Sequence, residues 1–277
     1  MLTTWDELDG VHGPSGRLWR KFAPPVGRDF SLTASGNPAI GFFDHFLTFQ
    51  ASTLEGPYLI LEGSGCSVEQ INCTGNTTTT ALGQVQLALD GSAENDEVSL
   101  QWGRGLCAPF KLADKDLCFE ARIAVSQITA AKYSAAVGLG EVGMGATDCL
   151  FADSTQALAD KNFCGFVSLN AEGGAWDGAY KADGQTYQDG ATKTKLDSLH
   201  TMVAATFVKL GFRYQAYPET LEWYVNGVKK ASLTATELAA ATFPDDVFVT
   251  PIIGAKDAAG DTALNMMIDW WACAQAL

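Results

Sequence analysis

The sequence predicts an all-β protein that folds as a single β-sandwich. Glycine (28 of 277 residues), threonine and aromatic residues are plentiful, whereas long helix-forming runs are few. Apolar and polar residues alternate with a period of two in many short segments, and turn residues separate these segments. No internal repeat, coiled-coil pattern or linker interrupts the series. We therefore expect one domain rather than two.

The stretch 210–233 has the clearest strand pattern in the chain. Apolar residues alternate on both sides of a break at Pro218, and a second break at Asn226-Gly227 favours a type I′ hairpin turn. We expect three antiparallel strands, at 210–216, 221–225 and 228–233. In the middle strand the alternation places Trp223 in the core, and it places Glu222 in solvent or against a partner.

Shorter alternating or apolar runs predict the remaining strands. We expect them at 41–50, 58–62, 84–90, 97–102, 117–125, 135–140, 164–170, 247–255 and 264–270. Residues 171–190 are dense in turn residues and predict no strand. Thr234 and Glu237 match a capping box, which predicts a short helix. In the last strand, alternation places Trp270 on the same face as Ile268, so that the next ring would face outward.

Charge and aromatic residues distinguish the first forty residues. The formal net charge is -14, but residues 1–30 contain four basic and four acidic groups, so the body carries the whole excess. Residues 1–40 lack strand periodicity and are rich in Gly and Pro, which predicts an extended arm. Two interpretations remain open: the arm binds a partner or neighbouring subunit, or it packs on its own domain. The candidate partner-binding residues are Trp5, Arg17, Trp19, Arg20, Lys21 and Phe22.

Composition excludes several functional classes. No apolar run approaches the roughly 20 residues that cross a bilayer, and the N-terminus has acids where a signal peptide needs basic residues. We therefore expect a soluble protein made in a cytoplasm. Phosphate contacts need clustered cations, and residues 29–103 contain no Lys or Arg, so we expect no direct nucleic-acid binding.

The cysteines and histidines show no metal-ligand spacing. The seven cysteines include no CxxC pair, and the three histidines are far apart in the chain. We expect no metal requirement and no cofactor. Without a signal peptide most thiols should be reduced, and Cys118 and Cys164 lie in apolar strands where they would act as small core residues.

Several segments together resemble a known fold family. FEARIAV (119–125), AVGLG (136–140), LGFRYQAYPETLEWYVNGVKK (210–230), FPDDVFVTPIIGAK (243–256) and IDWW (268–271) resemble concanavalin-like, or laminin G-like, jelly rolls. The resemblance is strongest to the version found in tailed-phage virion proteins, and it covers about residues 41–277. It implies a jelly-roll β-sandwich at 41–277 that follows an N-terminal arm at 1–40.

The resemblance also implies a function, on the surface of a phage capsid. Such proteins are virion structural proteins that decorate or cement the capsid shell by bridging capsomers. The implied partner is the major capsid protein, and a homo-oligomer is expected, with a trimer favoured over a dimer.

The same fold includes β-glucan hydrolases, which makes an enzyme one alternative. Those enzymes carry an E-x-D-x-x-E strand that brings carboxylates to one face. Here Glu120 is followed by Arg122, and no G-x-S-x-G elbow is present. We therefore expect a protein without catalytic activity and rank a glycan hydrolase third.

A lectin-like module on the virion surface is the second alternative. Two aromatic and two acidic side chains lie close together in the turn-rich stretch 171–190. They could stack on a sugar ring and bind its hydroxyls, or hold calcium through carboxylates. The competing interpretation, which we favour, is that these are turn residues with aromatics closing the end of the sandwich. The candidate residues are Trp176, Asp177, Tyr180 and Asp183.

Overall fold

A computed structural model describes residues 14–19, 31–34, 37–44, 58–71, 83–91, 96–103, 106–130, 132–145, 158–169, 172–257 and 263–277. Among these residues, nine strands form one antiparallel sheet. Its order is β1 (Ser31–Ala34), β2 (Asn37–Asp44), β17 (Leu264–Ala276), β8 (Leu117–Val125), β13 (Val208–Ala216), β14 (Glu219–Val225) and β15 (Val228–Thr234). In addition, β5 (Gln84–Leu89) pairs with β17, and β4 (Ser67–Ile71) pairs with β5.

Eight strands form the second antiparallel sheet. Its order is β12 (His200–Thr201), β11 (Ala175–Lys181), β10 (Phe163–Ser168), β9 (Tyr133–Glu141), β16 (Phe248–Asp257), β6 (Glu97–Trp102) and β3 (Tyr58–Glu62), and β7 (Phe110–Lys111) pairs with β16. The helices are short: α1 (Gly16–Trp19), α2 (Ala235–Leu238) and a 3-10 turn at Thr194–Leu196. In the part of the chain that the structure describes, no helix has the length and apolar character needed to cross a membrane.

The two sheets stack face to face around one large apolar core. Inward-facing residues of both sheets fill it, among them Phe119 and Phe212 of the first sheet and Val137 and Phe166 of the second. The side chain of Trp223 extends across this core, and its indole Nε1 donates to the carbonyl oxygen of Gly165 at 2.9 Å. The predicted all-β sandwich is therefore confirmed.

The three-stranded meander is confirmed as β13, β14 and β15. Asn226 and Gly227 both have positive φ, 50° and 73°, as a type I′ turn requires. The predicted capping box is also present, since Thr234 and Glu237 exchange both hydrogen bonds at the start of α2.

Glu222, by contrast, does not point to solvent. It is 7% exposed, and its Oε2 accepts hydrogen bonds from Arg213 Nη2 at 2.5 Å and Tyr224 Oη at 2.7 Å. Lys229 Nζ lies 3.2 Å from Oε1. The sequence-based expectation of a solvent-facing Glu222 is wrong, because side chains of its own sheet bind and bury its carboxylate.

We expect Glu222→Ala to lower the free energy of unfolding by about 1–3 kcal/mol. The substitution leaves the guanidinium of Arg213, which is 2% exposed, without the carboxylate that it binds. Urea unfolding of the variant checks this, beside Glu69→Ala as a control on the exposed side of β4. Equal midpoints for the two variants would contradict the role given to Glu222.

A β-bulge in β17 reverses the predicted side of its tryptophans. Ile268 pairs with Ile123 and Trp270 with Arg122, so Asp269 is an extra residue in the strand. Because of the bulge, the ring of Trp271 faces the main core, whereas Trp270 lies on the outer face of the sheet in a second apolar cluster. The expectation that Trp270 shares a face with Ile268 is therefore wrong.

Two further segments differ from the predicted elements. Residues 175–181, predicted as turn, form β11, in which Trp176 and Tyr180 face the core. Near the N-terminus, β1 lies inside the predicted arm 1–40 and β2 overlaps its end, so the first sheet begins at Ser31. Of the predicted strand 41–50, the structure describes the part up to Asp44.

The α1 segment packs on the outer face of the first sheet. Leu18 and Trp19 are 0% and 1% exposed and form an apolar cluster with Trp270 and Tyr224. Beneath them lies the carboxylate of Glu120, and burial raises its pKa. This part of the N-terminal segment therefore belongs to the packed domain.

Candidate functional site

A pocket of about 480 Å³ opens at one end of the sandwich. Three chain segments meet there: the start of β10, the turn after β11, and the loop that leads from α2 into β16. The lining residues are Asn162, Ala182, Asp183, Gln185, Ala241, Phe243, Asp245, Asp246 and Val247. This volume falls within the range of about 300–1,000 Å³ typical of small-molecule sites.

Asn162 is a rigid polar group in this pocket. It is 3% exposed, and its Nδ2 donates to Glu141 Oε2 at 2.8 Å. Its Oδ1 accepts the backbone N–H of Asp183 at 3.1 Å. Because both ends of the amide are engaged, its orientation is fixed, and the second lone pair of Oδ1 can accept from a ligand.

Phe243 lies at the base of the pocket, and its side chain is only 2% exposed. Its ring lies edge-on to Tyr180 at 5.7 Å between centroids and stacks on Tyr214 at 6.3 Å. The neighbouring backbone ties the two loops of the pocket together, since Ala182 N–H donates to the carbonyl oxygen of Thr242 at 2.8 Å. The aromatic core of the sandwich therefore supports the pocket from below.

An ion pair holds the turn after β11. Lys181 Nζ binds the carboxylate of Asp160 and donates to the carbonyl oxygen of Gln185 at 3.0 Å. The same carboxylate accepts the backbone N–H of Gly184 at 2.9 Å. These contacts fix the backbone that carries Asp183 and Gln185, while both of these side chains remain exposed.

The pocket can bind a polar molecule rich in hydrogen-bond donors. Asp183, Asp245 and Asp246 present carboxylates, Asn162 presents an amide oxygen, and Gln185 presents both a donor and an acceptor. Such a set suits the hydroxyls of a sugar. The carboxylates and the amide carbonyls also offer oxygen ligands to a hard cation.

Only Asp183, of the four residues predicted for a lectin site, lines this pocket. Trp176 and Tyr180 are fully buried in the core, so neither ring can stack on a sugar. Asp177 is 3% exposed, and its two oxygens accept the backbone N–H groups of Gly190 and Ser198 at 2.8 and 2.7 Å. Its role here is to hold a loop.

The other pocket residues have no recognisable signal in the sequence. Nothing in the local pattern distinguishes Asn162, Gln185, Asp245 or Asp246. No periodicity could have found them, because the site depends on which turns share an end of the sandwich.

The predicted partner-binding residues lie mostly outside the described chain. Trp5, Arg20, Lys21 and Phe22 are among the residues that the structure does not describe, and Arg17 lies in α1. Trp19 is buried against its own domain, with Nε1 donating to Glu120 Oε2 at 2.9 Å. Its ring is therefore turned away from any partner, and partner binding by this segment remains a prediction.

A second acidic cluster joins Glu172, in the turn before β11, to Asp177 in β11 and to Asp189 and Asp197 in the loop after it. Glu172 Oε2 accepts the backbone N–H of Leu169 at 2.7 Å. Burial, with the nearby charges of Asp177, Asp189 and Asp197, raises the pKa of Glu172 to about 7. Glu172 is thus protonated in the folded protein at a pH where the unfolded chain, with the ordinary value of 4.5, is ionised.

We expect the protein to lose stability as the pH rises through about 7. The raised pKa means that the folded state holds a proton that the unfolded state releases, so stability is greatest below this range. Thermal melts at about pH 6 and about pH 8 should show a drop of a few degrees. Glu172→Gln should reduce this difference, whereas Glu69→Gln, at an exposed position, should not. Equal pH dependence in both variants would refute the assignment.

Cys66, Asp90 and Asp96 bring possible metal ligands within 4.8 Å of one another. Burial raises the pKa of the Cys66 thiol to about 11, whereas a metal binds the thiolate. The predicted absence of a metal requirement stays a prediction.

No protein-family model matches this chain, and no curated protein matches it. Solved structures, by contrast, do match this chain. A protein of unknown function from Shewanella oneidensis MR-1 has a TM-score of 0.54 at 13% identity, covering 97% of this chain and 96% of its own. An endo-1,3-β-glucanase from Streptomyces sioyaensis has a TM-score of 0.53 at 12% identity, with coverages of 91% and 99%. The carbohydrate recognition domain of Emp47p has a TM-score of 0.50 at 10% identity, with coverages of 93% and 98%.

These likenesses overturn the prediction that the protein lacks catalytic activity. That prediction rested on a missing E-x-D-x-x-E strand, yet a glucanase shares the fold over nearly the whole chain. The lack of one motif therefore does not exclude an enzyme on this scaffold. What the comparisons establish is the architecture: the chain is a concanavalin-like jelly-roll β-sandwich, a fold shared by carbohydrate-binding domains and glycan hydrolases.

Proposed function

We propose that this protein binds a carbohydrate in the pocket formed by Asn162, Asp183, Gln185, Phe243 and the Asp245–Asp246 pair. The observation that carries the proposal is the combination of a fixed amide and exposed carboxylates in one open pocket. Sugars present several hydroxyl donors, and these find acceptors here. The carbohydrate recognition domain among the neighbours favours this class of ligand.

A glycan array probed with labelled protein tests this, followed by calorimetric titration of the best ligand. Gln185→Ala removes a side chain from the pocket, while Thr186→Ala changes the exposed neighbour that does not line it. We expect Gln185→Ala to weaken binding by about three- to tenfold, the value of one hydrogen bond. Thr186→Ala should bind like the wild type. No binding on the array, or equal affinity of the two variants, would reject the proposal.

The same experiment separates binding from turnover. Incubation of the bound glycan with the protein, followed by an assay for new reducing ends, detects glycosidic cleavage. An unchanged ligand would assign a binding module, and cleavage that is lost in Asp183→Ala would assign a hydrolase that uses this pocket.

Our second proposal is that this protein binds the surface of a phage capsid, and a separate surface feature supports it. Tyr217 and Leu277 are 91% and 58% exposed. Both lie beside Asp116, whose side chain accepts the N–H of Ala216 and whose carbonyl accepts that of Ala276, each at 2.9 Å. Neighbouring exposed apolar side chains favour contact with another protein, such as the major capsid protein or another copy of this chain.

Co-sedimentation with capsids that lack this protein tests the virion proposal. The wild type should pellet with the shells, and Tyr217→Ser should pellet less. Failure of the wild-type protein to bind any such shell would contradict it, and equal binding of both proteins would move the contact elsewhere. Glycan binding by the pocket does not depend on either result.

A further inference from the structure

We propose that the pocket selects an amino sugar, a glycan residue with a free, protonated amino group, over a neutral sugar, and that it repels acidic sugars. This inference rests on the proposed function and adds the chemical class of ligand. Its basis is the charge of the lining. Among the lining residues that the structure describes, Asp183, Asp245 and Asp246 are acidic, and none is Lys, Arg or His.

The two lysines next in sequence to the lining residues Asn162 and Ala182 already face carboxylates. Lys181 Nζ is bound to Asp160 and to the carbonyl oxygen of Gln185. Lys161 Nζ lies 3.6 Å from Glu141 Oε1. Since each of these charges has its own acidic partner, neither offsets the three carboxylates that line the pocket. The formal net charge of -14 adds to the negative potential there.

The geometry of the acceptors also suits an ammonium group. An ammonium donates three hydrogen bonds and accepts none, and carboxylate oxygens only accept. Asn162 adds an acceptor whose orientation is fixed by Glu141 and by the backbone of Asp183. A uronic acid would bring a fourth carboxylate next to three others. Like charges brought together in one pocket repel each other, which disfavours binding. The pocket therefore favours amino sugars and also rejects acidic sugars.

Three oligosaccharides of equal length test the inference by titration calorimetry. A chitosan oligomer carries free amino groups, the chitin oligomer carries the same units in N-acetylated form, and an oligogalacturonate carries carboxylates. We expect the amino oligomer to bind about tenfold more tightly than the N-acetylated one, since each exposed charge pair contributes up to about a fivefold factor. The oligogalacturonate should show no measurable binding. Added salt should narrow the gap between the first two.

A polycation could also bind a negatively charged protein away from the pocket, so matched charge variants are needed. Asp245→Asn with Asp246→Asn keeps the size of the lining while removing two charges. Glu69→Gln with Asp197→Asn removes two charges at exposed positions outside the pocket. The preference for the amino oligomer should fall in the first double variant and persist in the second. An equal fall in both would attribute the preference to overall charge and overturn the inference.

The outcomes separate this inference from the function on which it rests. If the N-acetylated oligomer or the oligogalacturonate binds the wild type as tightly as the amino oligomer, the charge selectivity is wrong while carbohydrate binding stands. If no sugar of any charge binds, here or on the array, the proposed function itself fails. Preference for the amino oligomer that is lost only in the pocket variant supports both.

Discussion

Deletion of residues 1–30 is expected to unfold or insolubilise this protein. Ser15 and Trp19 hold the carboxylate of Glu120 with three hydrogen bonds: Ser15 N–H at 2.8 Å, Ser15 Oγ at 2.6 Å and Trp19 Nε1 at 2.9 Å. Leu18 and Trp19 also cover Trp270, which is 0% exposed. The deletion removes the hydrogen bonds and exposes an apolar face at once. A soluble sandwich after deletion is what an arm that only binds a partner would give, and the packing of Trp19 argues against that result.

Point variants make the same test more cleanly. Trp19→Ala should lower the free energy of unfolding by about 3–5 kcal/mol, the cost of truncating a buried tryptophan. Tyr217→Ala, at an aromatic residue that is 91% exposed, is the control and should unfold like the wild type. Denaturant melts of both variants decide the matter. If Trp19→Ala and the truncated protein melt as the wild type does, the segment is a free arm and is again available as an anchor for a partner.

Trp223→Ala should be equally damaging, for a different reason. Trp223 is 0% exposed in the centre of the sandwich, and its indole donates to Gly165 of the opposite sheet. Truncation leaves a cavity between the sheets and an unsatisfied carbonyl oxygen, which together cost about 3–5 kcal/mol.

The measurement for Trp223 is a urea melt read by circular dichroism, with Tyr217→Ala again as the exposed control. Trp223→Phe keeps most of the buried volume and should recover part of the lost stability. Wild-type stability of Trp223→Ala would mean that the ring does not lie between the sheets and that the register of β14 is wrong by one residue.

The strands whose alternation is clean were predictable from the sequence. β6 at 97–102 and β8 at 117–125 have the predicted bounds, and the Asn226-Gly227 turn fixes the register of β14 against β15. In these segments the local pattern and the tertiary packing agree, because one side of each strand faces the common core.

Where burial depends on distant segments, prediction failed. The alternation of β14 places Glu222 in solvent or against a partner, but its carboxylate pairs with Arg213 of the same sheet. On the outer face of β8, Ser15 and Trp19 cover Glu120. β11 was missed because Asp177 interrupts its apolar pattern, and the bulge at Asp269 leaves no signature in the alternation. The hydrogen bonds from Ser15 and Trp19 to Glu120 join residues 105 and 101 positions apart.

The candidate site was beyond prediction for a topological reason. Asn162, Asp183 and Asp246 come from three separate connections, and only the order of strands in the second sheet brings those connections to one end. Aromatic and acidic residues close together in sequence pointed instead to Trp176 and Tyr180, which the folding of β11 places inside the core.

Filling the pocket is the most direct test of the claim that this end of the sandwich binds a glycan. Ala241→Trp places a large ring in the lining without changing any charge, and Ala240→Trp places the same ring at the exposed neighbouring residue outside it. Calorimetric titration with the best glycan from the array should show no binding to the Ala241→Trp protein and wild-type affinity for the Ala240→Trp protein, with equal melting temperatures. Wild-type affinity of the Ala241→Trp protein would contradict the assignment of the pocket as the binding site.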